Sequence, residues 1–197
     1  MVVSNGQTKV AQYGQWDHYP SGQGLIALEF LRDIISKGEL EKFKERIDSM
    51  RWATPEEIEG VKNDPNWEEA KPWVSRDYGA GILQMIHEGI YHVNNFPSDN
   101  VRKDTHVEWL INHEEFAKDS LFCEGCFVVD LDARTFEYHE GFNKIPLTEG
   151  RFKDLEPHKE FEGPVEYYPV RLVASFSLDA LPTGSEFVKA CTWEDEE

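Results

Sequence analysis

One short segment near the start of the chain concentrates groups that can do chemistry: Gln12-Tyr13-Gly14-Gln15-Trp16-Asp17-His18-Tyr19-Pro20-Ser21-Gly22-Gln23-Gly24. Three aromatics, three glutamines and three glycines stand beside one aspartate, one histidine and one proline. Neither a helix nor a strand favours that mixture, because glycine frees the backbone where proline fixes it. The rings offer flat apolar faces, and Gln, Asp and His offer directional hydrogen bonds. The segment therefore reads as a shaped loop lining a pocket for a small polar molecule. Trp16 and Tyr19 would stack on that ligand, Gln15 and Gln23 would orient it, and Asp17 would accept a proton or a hydrogen bond as the candidate catalytic residue. As a purely local feature, Asp17 would instead bond its own turn. Adjacent residues of an extended segment point opposite ways, so Asp17 and His18 are not expected to touch. Ser21 lacks the Gly-x-Ser-x-Gly setting of an activated serine. Gly22-x-Gly24 leads into a helix whose free N–H groups can hold an anion. Neither a P-loop nor a dinucleotide fingerprint is completed there.

Cys123-Glu124-Gly125-Cys126 is the second cluster. A CxxC pair can bind zinc or cycle as a dithiol. His106 and His113 lie upstream at a spacing that matches no zinc pattern, and there is no second CxxC, so no metal site is assigned. Cys126 leads into a strand rather than opening a helix, which argues against a redox pair. Buried free thiols behave as small hydrophobes. Cys123 beside His106, His113 or His139 is the nucleophilic alternative. Asp130 and Asp132 share a strand face and can hold a cation, or simply start a turn. Strand ends can gather Asp17, Arg171 and Asp179 into one place. None of these motifs names a cofactor, which stays unknown.

The elements that must position these residues follow from pattern. Val2–Ser4, Asn5-Gly6 and the residues after Gln7 predict a hairpin, since Asn-Gly suits a type I′ turn. The chain thus begins inside a strand, which leaves room for residues upstream of Met1. Leu25, Leu28, Leu31 and Ile35 predict a helix over 24–36, stopped at Gly38. A second helix is expected over 39–50. Thr54-Pro55-Glu56-Glu57 opens a third with a capping box. A fourth is expected to start at Ser75, bury Tyr78, Ile82, Met85 and Ile86, and stop at Gly89. Residues 90–93 and 106–111 read as strands, and 126–131 with 135–139 as a hairpin. Residues 167–177 read as a strand with Val170, Leu172, Ala174 and Phe176 on one face. Residues 141–164 read as a surface excursion, and Thr183 caps a last short helix. The expected fold class is α+β, with an antiparallel sheet built from N- and C-terminal hairpins and packed against the helices of residues 24–88. Residues 1–197 are expected to form a single domain.

Composition narrows the function classes. The chain of 197 residues carries a formal net charge of −18. Such a surface repels phosphate backbones and anionic lipid, which excludes ordinary nucleic-acid and membrane-surface binding. No apolar run approaches the roughly 20 residues of a membrane span. Three cysteines make no even disulfide framework, and no secretory leader is evident, so a cytoplasmic location is expected.

The segment Tyr13 to Gly24 resembles a motif of uncharacterised proteins from phages, bacteria and fungi, in which a strand runs into a Trp-Asp-Gly-Tyr-Pro-x-Gly-x-Gly-like loop. His18 stands where those proteins carry glycine. Phe122-Cys123, Val128-Val129-Asp130-Leu131-Asp132 and Phe176-Ser177-Leu178-Asp179 are similar to the same family. The resemblance spans most of the chain and implies no activity. The order of hairpin and helix is also loosely similar to that of N-terminal-nucleophile hydrolases.

Two functional readings follow. In the first, the protein binds a small polar molecule through loop 12–24, with catalysis undecided. In the second, it is a non-catalytic acidic interaction protein of phage or inhibitor type, whose partner is a basic protein. A third reading gives the loop a role in folding alone.

Overall fold

The computed structural model describes residues 1–92, 102–104, 106–157 and 167–192. Val93 and the 158–164 part of the surface excursion lie outside the described residues. In chain order the elements are β1 (Val2–Asn5), β2 (Gln7–Ala11), α1 (Leu25–Ser36), α2 (Leu40–Ser49), β3 (Arg51–Trp52), α3 (Pro55–Asn63), α4 (Trp67–Ala70), α5 (Ile82–Glu88), β4 (Ile90–His92), β5 (Arg102–Asp104), β6 (Trp109–Leu110), β7 (Gly125–Asp130), β8 (Thr135–Glu140), β9 (Arg171–Ser177) and α6 (Gly184–Cys191). The fold is α+β, with the N-terminal hairpin and the C-terminal strands in one sheet of order β2-β1-β7-β8-β9.

Every neighbouring pair in that sheet is antiparallel except β1 and β7, which run parallel with Val2 opposite Val128. β1 thus lies inside the sheet and is buried on both faces, as Val2 and Val3 require. Alternation assigns the two faces. Val3, Phe127, Val129, Phe136 and Tyr138 join the larger core, against helix residues that include Leu28, Leu31 and Phe187. Val2, Cys126 and Val128 turn the other way and pack with Ala117, Phe152 and Val170. A helical layer thus covers one face, and the segments around 117–123 and 147–155 cover the other.

The helix starts follow local chemistry. Thr54 accepts from the Glu57 amide while the Glu57 side chain accepts from the Thr54 amide, and Thr183 with Glu186 does the same for α6. Gly38 and Gly89 take φ of 69° and 68° and end their helices.

Three expectations are corrected. The helix expected from Ser75 begins only at Ile82, because Gly79 sits at a φ of 49°, where a right-handed helix cannot continue. Of residues 106–111 only Trp109–Leu110 is strand, pairing in parallel with β3. Val170, Leu172, Ala174 and Phe176 do not share a buried face. A bulge shifts the β8–β9 register between Tyr138 and His139, so Ala174 and Phe176 pack on the helical core, Val170 packs on the opposite one and Leu172 is exposed. Among the described residues no helix is long and apolar enough to cross a membrane.

Candidate functional site

Loop 12–24 leaves the end of β2 and crosses the edge of the sheet where both β1 and β7 begin. The parallel pairing of those two strands, with β2 antiparallel to β1, gathers Met1, Gln12 and Gly125 at one end. A cavity of about 400 Å³ opens there, lined by the loop, by residues 113–117 and by residues 122–126. The two clusters that stood apart in the sequence, the aromatic loop and the CxxC, thus wall a single cavity.

The loop is fastened at many points. Gln12 Nε2 donates to the Ser75 carbonyl at 3.1 Å, and the Gln15 amide donates to the Arg76 carbonyl at 3.0 Å. Its turn is closed by the Gln23 amide donating to the Asp17 carbonyl at 2.8 Å. The His18 carbonyl lies so close to Gly125 that a Cβ there would sit 2.0 Å from its oxygen, which ties the loop to the first residue of β7.

Within this frame Trp16 and Tyr19 remain 61% and 51% exposed and line the cavity, with Gln15 and Asp17 beside them. Trp16 Nε1 donates to Asp77 Oδ1 at 3.2 Å, which steadies the indole without covering it. Tyr19 Oη donates to Asp17 Oδ1 at 3.0 Å, and that bond raises the Tyr19 pKa, so the phenol stays protonated. Asp17 itself adopts a φ of 58°. Non-glycine residues seldom enter that region, and Asp and Asn tolerate it best. The side-chain partner of Asp17 is the Tyr19 phenol of the same turn rather than a backbone amide.

Gln23 is placed elsewhere. Its Oε1 accepts from the Ala80 amide at 2.7 Å, and it lines a separate cavity between α1 and α5. The structure therefore brings Gln15, Trp16, Asp17 and Tyr19 together, and Gln23 serves as the strut that holds the 79–81 turn. Gly79 allows this, because a Cβ at that position would sit 2.4 Å from Gln23 Oε1.

His18 folds beneath the loop. Its Nδ1 donates to the Trp16 carbonyl at 3.1 Å, and Nε2 is buried without a partner. Burial, then the nearby terminal ammonium of Met1, hold its pKa down at about 4 despite the Trp16 bond and the Asp17 charge. His113, on the opposite wall, is also lowered by burial. Both imidazoles are thus biased toward the neutral form, and the lining carboxylates Asp17, Glu114 and Glu124 dominate the acidic side of the cavity.

Burial disfavours the thiolate form of the CxxC pair. Cys123 and Cys126 are free and buried, and burial pushes both pKa values up. Among the described residues no group of three or more His, Cys, Asp or Glu side chains could hold a metal ion. His106 is exposed beside Glu108, and His139 is buried against Glu137, so of the three histidines considered for Cys123 only His113 reaches this cavity. Asp130 accepts from the Asp132 and Ala133 amides and from Arg151, which makes it a turn-former and ion-pair partner. Arg171 pairs with Glu140 at the near end of β9, whereas Asp179 pairs with Arg134 beyond its far end, so Asp17, Arg171 and Asp179 do not assemble.

Sequence reasoning did not find Phe116, Phe122, Glu114 or Glu124 as wall residues. Phe122, 58% exposed beside a buried cysteine, carries no periodicity, and its only signal is an aromatic next to the CxxC. No protein-family model, curated protein or solved structure matches the chain.

Proposed function

We propose that the protein binds a small polar molecule in the cavity between loop 12–24 and residues 113–126. One observation carries this reading: Trp16, Asp17 and Tyr19 face a cavity of about 400 Å³ instead of being sealed into the core. That volume falls within the range of small-ligand pockets. A loop built for folding alone would bury its rings, yet here the backbone is tied down while the indole and phenol stay open. In this reading Trp16 and Tyr19 stack on the ligand, Gln15 orients it, and Asp17 accepts its hydrogen bond or proton.

The test is a panel of small polar molecules screened by ligand-observed NMR against the protein and its Asp17→Asn variant. Asn tolerates the same backbone region and still accepts from Tyr19. A ligand whose affinity falls about tenfold or more in the variant, with Tm changed by only a few degrees, supports the proposal. A large drop in Tm would show that the loop is scaffolding.

A further inference from the structure

The second cavity has a volume of about 390 Å³ and shares no lining residue with the first. Two helices form its walls. Ile26, Glu29, Phe30 and Asp33 of α1 are spaced three and four apart and fall along one stripe. Gln84 and Glu88 of α5 are likewise one turn apart, with Met85 between them. This stripe of α1 is distinct from the buried one, Ala27, Leu28, Leu31 and Ile34, that holds the helix to the sheet.

The groove has two chemistries. Its apolar lining is graded: Ile26 is 47% exposed, Phe30 is half-buried, and Met85 backs them from the core. Its rim carries four carboxylates, Glu29, Asp33, Asp77 and Glu88, and neither lysine nor arginine is among its lining residues. Lys37 reaches Asp33 at 2.6 Å from outside, but both side chains are about half exposed, and such a pair exchanges partners at little cost.

We propose that this groove docks a basic amphipathic segment of a partner protein. An apolar side chain of the segment rests on Ile26 and Phe30, and lysine or arginine side chains flanking it meet the carboxylates of the rim. Charge complementarity decides the occupant. An acidic segment or a nucleic acid meets four like charges. A purely apolar partner strips water from carboxylates without replacing it, which is costly. A basic segment without an apolar residue leaves Ile26 and Phe30 uncovered. The two cavities share no lining residue, but they meet through Asp77, which bonds Trp16, and through Gln23, so the test reads Glu29, Glu88 and Ile26, which take no part in loop 12–24.

The test uses the full chain and two fluorescein-labelled peptide probes of equal charge, one alternating Leu and Lys at helical spacing and one with Ser in place of Leu, read by fluorescence anisotropy at physiological salt. The Leu/Lys probe is expected to bind about tenfold more tightly than the Ser/Lys probe. Glu29→Lys with Glu88→Lys is expected to weaken it about tenfold or more, while Glu41→Lys with Glu45→Lys, the same charge change on the exposed face of α2, weakens it less than about threefold. Ile26→Ser leaves the charge untouched and is expected to abolish the preference for Leu. Equal losses in the two charge-reversed proteins, equal binding of the two probes, or no binding of either would overturn the proposal. Melting curves of the exposed-site variants confirm that each is folded.

Discussion

Asp17 and Gly79 show how single backbone positions set the site. Asp17 pays for its place in the left-handed region by bonding Tyr19 and by receiving the Gln23 amide on its carbonyl. Asp17→Gly relieves that strain while removing the carboxylate, so stability should hold within about 1 kcal/mol while ligand binding is lost. Urea unfolding beside a binding titration checks this. Gly79→Ala is expected to cost about 2 kcal/mol, because the new methyl meets both an unfavourable φ and the Gln23 carboxamide. In a Gln23→Ala background the added cost should shrink, leaving the backbone part alone. A double-mutant cycle by urea denaturation measures the difference, and strictly additive losses would contradict the contact.

At the scale of elements, α6 is a short helix with a large anchor. Phe187 is fully buried and its ring meets Phe127, Phe136 and Phe176 of three successive strands. Phe187→Ala should therefore cost about 3–5 kcal/mol. Thr183→Ala removes the capping hydroxyl together with an exposed γ-methyl and should cost about 1 kcal/mol. Chemical denaturation of both variants gives the ratio, and a cap as costly as the anchor would mean that α6 is held by its end. On the other face of the sheet, Arg151 of the excursion bridges Asp130 and Glu137, while Glu137 accepts from His139 at 2.9 Å. Burial raises the Glu137 carboxyl, but the bonds from His139 and Arg151 outweigh it and hold it at about 2.

For the whole molecule, charge and protonation set the response to solution conditions. Histidine ordinarily takes up its proton near 6.5, but folded His18 resists until about 4. Between those values the unfolded chain binds a proton that the native chain refuses, so stability falls as pH drops from 6.5 toward 4 and its contribution is level above 6.5. Glu137 acts in a lower window, its contribution being lost as pH falls from 4.5 toward 2. Urea midpoints between pH 7 and pH 4 should fall more steeply for the native sequence than for His18→Asn. Equal slopes would show that the His18 ring is solvated. A formal charge of −18 also sets the compact state against its own repulsion, so added sodium chloride should raise Tm.

Most of the elements were legible because their signals are local. Gly6 turns the first hairpin, although Asn5 ends β1 without the positive φ of a type I′ turn; Thr54 and Thr183 cap, Gly38 and Gly89 stop, and the 125–140 hairpin alternates, each within a few residues of the atoms it controls. Gly79 misled the reading of residues 75–81, because its left-handed backbone answers to Gln23, which lies 56 positions earlier in the chain. The composition of residues 12–19 likewise announced a shaped loop, in which Trp16 and Tyr19 are exposed, whereas Pro20–Gly24 form a helical turn that leads into α1. Its opposite wall was decided by the parallel pairing of β1 with β7, a contact between residues more than a hundred positions apart that leaves no local pattern. That single register placed Phe122, Glu124 and the buried thiols across from Trp16 and Asp17, while Gln23 was drawn to the helical face by the Ala80 amide.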